Sequence, residues 1–299
     1  MPDALAAALT VLNAAAPVFL LGLVGVVWVR AGFAYDTGFV TRLVLNFCMP
    51  ALLFSSLVAR PPDPAAVGAL AAAALGADVA AGIAVAAGLA LSGLSVRTWL
   101  VALVNGNTGN LGLPLLLFAF GPEGLAAGIV IFTVQLVLTY TVGIWLLSGA
   151  AAPRTLLRQP MLWGVLAGLA AALAGLAPPA PIQRSLELAG QPAIPLMLIT
   201  LGVSVARLHG AGFGRALAMS LMRLPPCAAA AWGMAELFGL AALPAASLVI
   251  QMTTPGAVTS WLLAAQWRRA PDEVAGFVAV STALAALHLP ATLALLGPV

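Results

Sequence analysis

Long apolar runs alternate with short clusters of proline, glycine and charge from one end of the chain to the other. A helix needs about 20 apolar residues to cross a bilayer, and ten runs approach or exceed that length. The pattern predicts ten transmembrane helices, spans 1 to 10. They are placed at residues 5–29, 37–59, 65–92, 98–120, 125–147, 160–176, 182–206, 213–238, 244–267 and 272–296. The stops between them include Arg60-Pro61-Pro62-Asp63-Pro64, Gly121-Pro122-Glu123-Gly124 and Pro178-Pro179-Ala180-Pro181. Proline removes a backbone donor and blocks the turn before it. The longest polar stretch, residues 148–159, reads as a connector, and no soluble domain is expected.

Two spans carry polar residues and helix breakers at their middles. Span 4 reads Asn105-Gly106-Asn107-Thr108-Gly109-Asn110-Leu111-Gly112-Leu113-Pro114. Span 9 reads Gln251-Met252-Thr253-Thr254-Pro255-Gly256-Ala257-Val258-Thr259-Ser260. Gly and Pro weaken a helix interior by about 1 and 3 kcal/mol. Backbone groups freed inside a bilayer have no water to bond, so irregular backbone survives only inside protein or along a wet cavity. Both spans are therefore expected to be broken, near residues 107–112 and 253–256. Thr254 ahead of Pro255 reads as the cap and first residue of a second half-helix. Thr108 and Asn110 read as caps in span 4. Two half-helix N-termini would then aim their positive ends at mid-membrane, a geometry that suits an anion.

The breaks lie five spans apart, and so do Asn46-Phe47-Cys48-Met49-Pro50 in span 2 and Gln191-Pro192 with Pro195 in span 7. This spacing predicts a duplication: a first five-helix repeat over 1–149, a cytoplasmic connector over 150–159 and a second repeat over 160–299. An odd number of spans per repeat inverts one against the other, a common build of membrane carriers. Charge orients the whole. With the N-terminus outside, the cytoplasmic loops hold eight arginines (Arg30, Arg97, Arg154, Arg158, Arg207, Arg215, Arg268, Arg269) and the outer loops two (Arg60, Arg184). The positive-inside rule thus puts both termini on the non-cytoplasmic side of a cell membrane.

Composition narrows the class. The chain is 63% apolar and 7% charged, against about 25% charged in a soluble domain. All 12 basic residues are arginine, but they are scattered, so no nucleic-acid surface is expected. Cys48 and Cys227 lie in apolar runs and read as packing thiols. The first charge is Asp3, and the apolar run continues to Arg30, so the first helix reads as retained rather than as a cleaved signal.

Three charges inside spans bear on the chemistry: Asp78 near the middle of span 3, Arg223 at similar depth in span 8, and Arg42 nearer the inner face in span 2. A charge at mid-membrane costs at least ~2.5–3.5 kcal/mol and must be paired, protonated or hydrated. Two readings stand, a structural ion pair and a protonation site or charge relay. Gln135 in span 5 either bonds between helices or lines a site. His288 reads as a packed polar residue and Glu236 as an interfacial carboxylate.

The stretch Asn107-Thr108 followed by Gly112 and Pro114 resembles the span-4 motif of the auxin efflux carrier family of membrane transporters. Arg42 with Pro50, Asp78, Gln135, Pro195 with Gly202, and Leu289-Pro290 are similar to that family's pattern in the same order. The plant members' long hydrophilic central loop has no counterpart here, so the chain resembles the short prokaryotic members, with a substrate other than auxin. The resemblance implies a fold shared with the bile-acid:sodium symporters: spans 1, 2, 6 and 7 form a scaffold, spans 3–5 and 8–10 a moving core, and broken helices 4 and 9 cross at its centre. It implies efflux of small organic anions, often carboxylates, by a homodimer in a lipid bilayer. The expected substrate-binding residues are Asn107, Thr108, Asn110, Gln135, Thr253, Thr254 and Gly256. The expected coupling residues are Asp78, Arg42 and Arg223, with a proton or a sodium gradient as the open alternatives; a sodium-coupled symporter of the same fold is the rival reading.

Other classes find little support. There is no His-Glu-x-x-His or Gly-x-Ser-x-Gly stretch, and His209 and His288 stand far apart. No enzyme, metal site or cofactor is expected. No ATP-binding loop occurs, so a gradient or a partner must supply any energy. A receptor or structural protein needs no broken helices.

Overall fold

The computed structural model describes residues 2–61, 63–151, 153–207 and 212–297; His209 lies outside the described residues. Those residues are overwhelmingly helical. α1 spans Pro2–Arg30, α2 Thr37–Ala59 and α3 Pro64–Leu91. α4, Val96–Val104, is separated by a non-helical step from α5, Thr108–Ser148. A short α6, Pro153–Leu157, precedes α7, Pro160–Leu173, then α8, Ala180–Gly190, and α9, Ala193–Arg207. α10, Phe213–Leu237, leads to α11, Ala242–Thr253. A second non-helical step separates α11 from α12, Val258–Gln266, and α13 is Pro271–Leu296. Each expected span has a helical counterpart. Five segments are long and apolar enough to cross a membrane: α2, α3, α5, the α8–α9 segment Ala180–Arg207, and α13.

Helix starts follow loop chemistry. Asp36 accepts from the Phe39 N–H at 2.9 Å, Asp63 from Ala65 and Ala66 at 3.3 Å each, and Ser95 from Thr98 at 3.3 Å. Each side chain satisfies donors that a helix start leaves open. Pro64 follows Asp63 at the first helical position, where its missing N–H is no loss. The turn expected at residues 121–124 is a sharp kink inside α5. Gly121 takes φ 67 and ψ −158, a conformation open almost only to glycine. The connector at 148–159 is not wholly irregular, because Pro153 starts the single-turn α6.

Proline also explains local underwinding at two places. Wide π-helical turns occupy Val44–Cys48, just ahead of Pro50, and Thr108–Gly112, just ahead of Pro114. Proline leaves the carbonyl of the preceding turn without a partner, and an inserted residue relieves that crowding.

The helices sort into two neighbourhoods. α1 lies along α9, and the Pro50 end of α2 lies between α7 and α8, while α10 packs on α3, α11 and α13. α5 touches both groups. Small residues let backbones approach, as is usual where lipid replaces water. A Cβ on Gly164 of α7 would sit 2.7 Å from the Pro50 backbone, and one on Gly202 of α9 would overlap the Gly22 carbonyl of α1. Cys48 and Cys227 are buried free thiols. Two exposed ion pairs, Arg60–Glu123 at 3.2 Å and Arg215–Glu273 at 2.6 Å, lie at helix ends.

Candidate functional site

The two non-helical steps lie against each other. The Asn107 N–H donates to the Pro255 carbonyl at 2.7 Å, and the Ala257 N–H donates to the Asn105 carbonyl at 3.0 Å. Gly106 and Gly256 thereby form an antiparallel bridge, a fragment of sheet inside a helical protein. Each break supplies the backbone partners that the other has lost. Glycine is required by space here: a Cβ on Gly106 would come within 2.5 Å of Thr254 Oγ1, and one on Gly256 would overlap the Phe277 ring.

This pairing corrects the expected caps. Thr254 does not start a half-helix. It ends α11 with ψ 149, and its hydroxyl donates to the Gln251 carbonyl at 2.6 Å. The bridge holds residues 255–257 extended, so α12 starts only at Val258, after Ala257 and without a side-chain cap. Asn107 stands at the start of α5 without capping it. Thr108 pairs instead with Gln135, and Asn110 is half-buried inside the first turn. The Thr253 hydroxyl is likewise turned to its own helix, donating to Val249 and Ile250 carbonyls at 2.8 and 3.1 Å.

Side chains from neighbouring helices frame the bridge. The Gln135 amide orientation that satisfies both of its atoms accepts from the Gly106 N–H at 3.2 Å and donates to the Gly106 carbonyl at 3.1 Å and to Thr108 Oγ1 at 2.8 Å. The Gly256 N–H donates to Ser281 Oγ on α13 at 3.1 Å. Asn105 donates to Thr259 and Ser260 hydroxyls at 3.3 and 3.1 Å and accepts from Thr139 at 3.1 Å.

Beneath the bridge, Arg223 of α10 is 1% exposed, lies beside Cys227 one turn along, and donates to three backbone carbonyls. Its Nε donates to the Leu103 carbonyl at 2.7 Å, Nη2 to Met252 at 3.4 Å, and Nη1 to Thr254. The expected ion pair among Asp78, Arg223 and Arg42 does not form. Asp78 is 4% exposed, and neither carboxylate oxygen finds a hydrogen-bond partner in the protein. Arg42 is exposed on α2, away from both. The reason is direction: the carbonyl ends of α4 and α11 converge on the guanidinium and take its donors.

Asp78 instead lies at the floor of a cavity of about 310 Å³ between α3, α4 and α5. Asn105, Gln135 and Thr139 share that floor, and Val79, Ile83 and Val142, all exposed, form its apolar outer wall. On the other side of the break, Asn107 is 4% exposed and its amide nitrogen has no partner in the protein. Gln251, fully buried, donates weakly to the Gly128 carbonyl at 3.4 Å and leaves its oxygen unpartnered.

The structure thus brings together Asn107, Thr108, Gln135, Thr254, Gly256 and Arg223 around one bridge, with Asp78 in the adjoining cavity, and leaves Arg42 outside. Asn105 and Thr139 belong to the same network and were not among the expected site residues. Asn105 opens the polar run of span 4 and was legible as an uncharged polar side chain at mid-span. Thr139 carried no signal, because a lone threonine in a membrane helix usually bonds its own backbone.

Apolar helices with two paired interruptions in their interior define a multi-pass helical membrane protein. The family model described as membrane transport protein, the auxin efflux carrier family, matches residues 144–293, and the chain belongs to that family. No curated protein matches the chain. Membership makes it a membrane transport protein, a class of carriers rather than enzymes.

Proposed function

We propose that this chain is a secondary carrier that exports small organic anions, carboxylates foremost, across the cell membrane by alternating access. On this reading it is built as two inverted repeats over 1–149 and 160–299, acts as a homodimer, and keeps both termini on the non-cytoplasmic side. The observation that carries the reading is the Gly106–Gly256 bridge. Unwound backbone at membrane depth is tolerated only inside protein or along a wet cavity, and here both breaks meet at one place beside the Asp78 cavity. The helix starts at Thr108 and Val258 leave N–H groups without intrahelical partners, which favour an anion.

Asn107 is the proposed anion contact. Its amide nitrogen is a buried donor without a partner, a condition that costs roughly 1–3 kcal/mol and that a carboxylate oxygen would relieve. Asn110, half-buried one turn along, joins it. Thr108, Gln135, Thr253, Thr254 and Gly256 shape the backbone around the anion. Asp78 couples transport to a gradient through the cavity it shares with Gln135. A thermal-shift screen of carboxylates followed by flux measurements in proteoliposomes tests the reading. A carboxylate that stabilises the protein by mass action and is then transported supports it; transport of neutral or cationic solutes alone would overturn it.

A further inference from the structure

We infer that the carbonyl cradle around Arg223 is a monovalent-cation site that the chain fills with its own guanidinium, so that a tethered charge stands where a mobile coupling ion would otherwise bind. The inference rests on the carrier reading for its consequence but not for its test.

The cradle has the composition of a cation site. Its oxygens are the backbone carbonyls of Leu103, Met252 and Thr254, at the C-terminal ends of α4 and α11. Unwound carbonyls and half-helix C-termini are the groups that coordinate sodium in broken-helix carriers. The charge also matches. Each helix C-terminus carries roughly −0.5 of an elementary charge, two such ends converge, and one guanidinium neutralises them.

A plain structural arginine would take a different partner. No salt bridge joins Arg223 to Asp78 among the described residues. Burying an unpaired guanidinium costs several kcal/mol, and here the helix ends rather than a carboxylate offset it. Among the described residues the same contact recurs nearer the surface, with Arg97 exposed and Arg269 half-buried. Arg97 and Arg269 donate to the Leu146 and Leu147 carbonyls at the end of α5, at 3.1 and 3.3 Å. Among the described residues, Arg223 alone does this fully buried and between two helices at once.

The consequence is that the empty and loaded carrier hold the same resident charge. A cation that cannot leave cannot be cotransported, so this site draws nothing from a sodium gradient.

The test reads stability and needs no substrate. Wild type, Arg223→Ala, Arg223→Lys and Arg223→Gln are purified in detergent and melted in sodium, potassium, choline or guanidinium chloride at equal ionic strength, with guanidinium at low millimolar concentration. Wild type and Arg223→Lys should melt at temperatures independent of the cation. Arg223→Ala should melt lowest in choline and regain several degrees, saturably, in guanidinium. Equal melting of Arg223→Ala in all four salts would overturn the inference. Should Arg223→Ala fail to fold, the remaining pair decides. Arg223→Lys outlasting Arg223→Gln in choline supports a need for charge, and Arg223→Gln matching or exceeding Arg223→Lys contradicts it. Failure of the carrier reading would show separately, as absence of flux by wild type whose melting is normal.

Discussion

Asn107 and Asp78 are both buried, uncompensated and adjacent to the bridge, but they ask for opposite things. The Asn107 amide is a donor lacking an acceptor, and Asp78 a carboxyl lacking a donor. For Asn107→Ala we expect weaker substrate binding at unchanged melting temperature. A hydrogen bond to a charged group is worth roughly 1.5–3 kcal/mol, about ten- to a hundred-fold in the dissociation constant, and a direct binding titration reads it. Unchanged affinity would move the anion to Gln135 or Thr254. Asp78→Asn should fold and melt near wild type, because the carboxyl oxygens hold no hydrogen bond that the amide would lose, while flux falls. Wild-type flux across the pH range would remove Asp78 from coupling. Depth was legible at this scale and direction was not. Asp78 and Arg223 fall at similar heights in spans 3 and 8, so an ion pair was the natural expectation. Which way each side chain turns depends on where α4 and α11 end in space, and no spacing along the chain encodes that.

Breaks in helices are the most legible elements, because Gly and Pro act on their own backbone before any packing occurs. Both interruptions fall within the Asn105–Pro114 and Gln251–Ser260 stretches, but the first lies at residues 105–107, ahead of the expected 107–112, where the chain is already π-helical, and the second at 254–257. The capping residues were misjudged for a tertiary reason: pairing with Asn105 and Asn107 keeps Pro255 to Ala257 extended, which overrides Thr254 as a helix start. The bridge itself makes a sharp prediction. Gly106→Ala forces a methyl against Thr254 Oγ1, and overpacking of this kind costs typically about 1–3 kcal/mol. The variant should melt lower and lose flux. Gly233→Ala in α10, where a Cβ meets nothing within 4 Å, should melt as high as wild type or higher, since alanine favours helix over glycine by about 1 kcal/mol. Equal behaviour of the two variants in both assays would show that the bridge is not a constrained element.

At the scale of the whole molecule, composition alone excluded a soluble domain, and the arginine asymmetry carries the orientation. Reporters fused to either terminus should be accessible from the non-cytoplasmic side; protection of the C-terminal reporter alone would mean an odd number of crossings and would break the inverted-repeat reading. The division into a scaffold and a moving core is implied by family resemblance rather than by any residue; α1 and α9 also pack against α13, where Ala15, Val18, Leu198 and Leu201 share a core with Ala285 and Leu289. The measurement that bears most directly on the central claim is uptake of labelled carboxylates into proteoliposomes holding wild type or Gly106→Ala, each first shown to be folded by its melting curve. The account predicts saturable carboxylate flux by wild type and its loss in the glycine variant. Saturable flux of equal rate through both proteins, or no carboxylate flux through folded wild type, would contradict it.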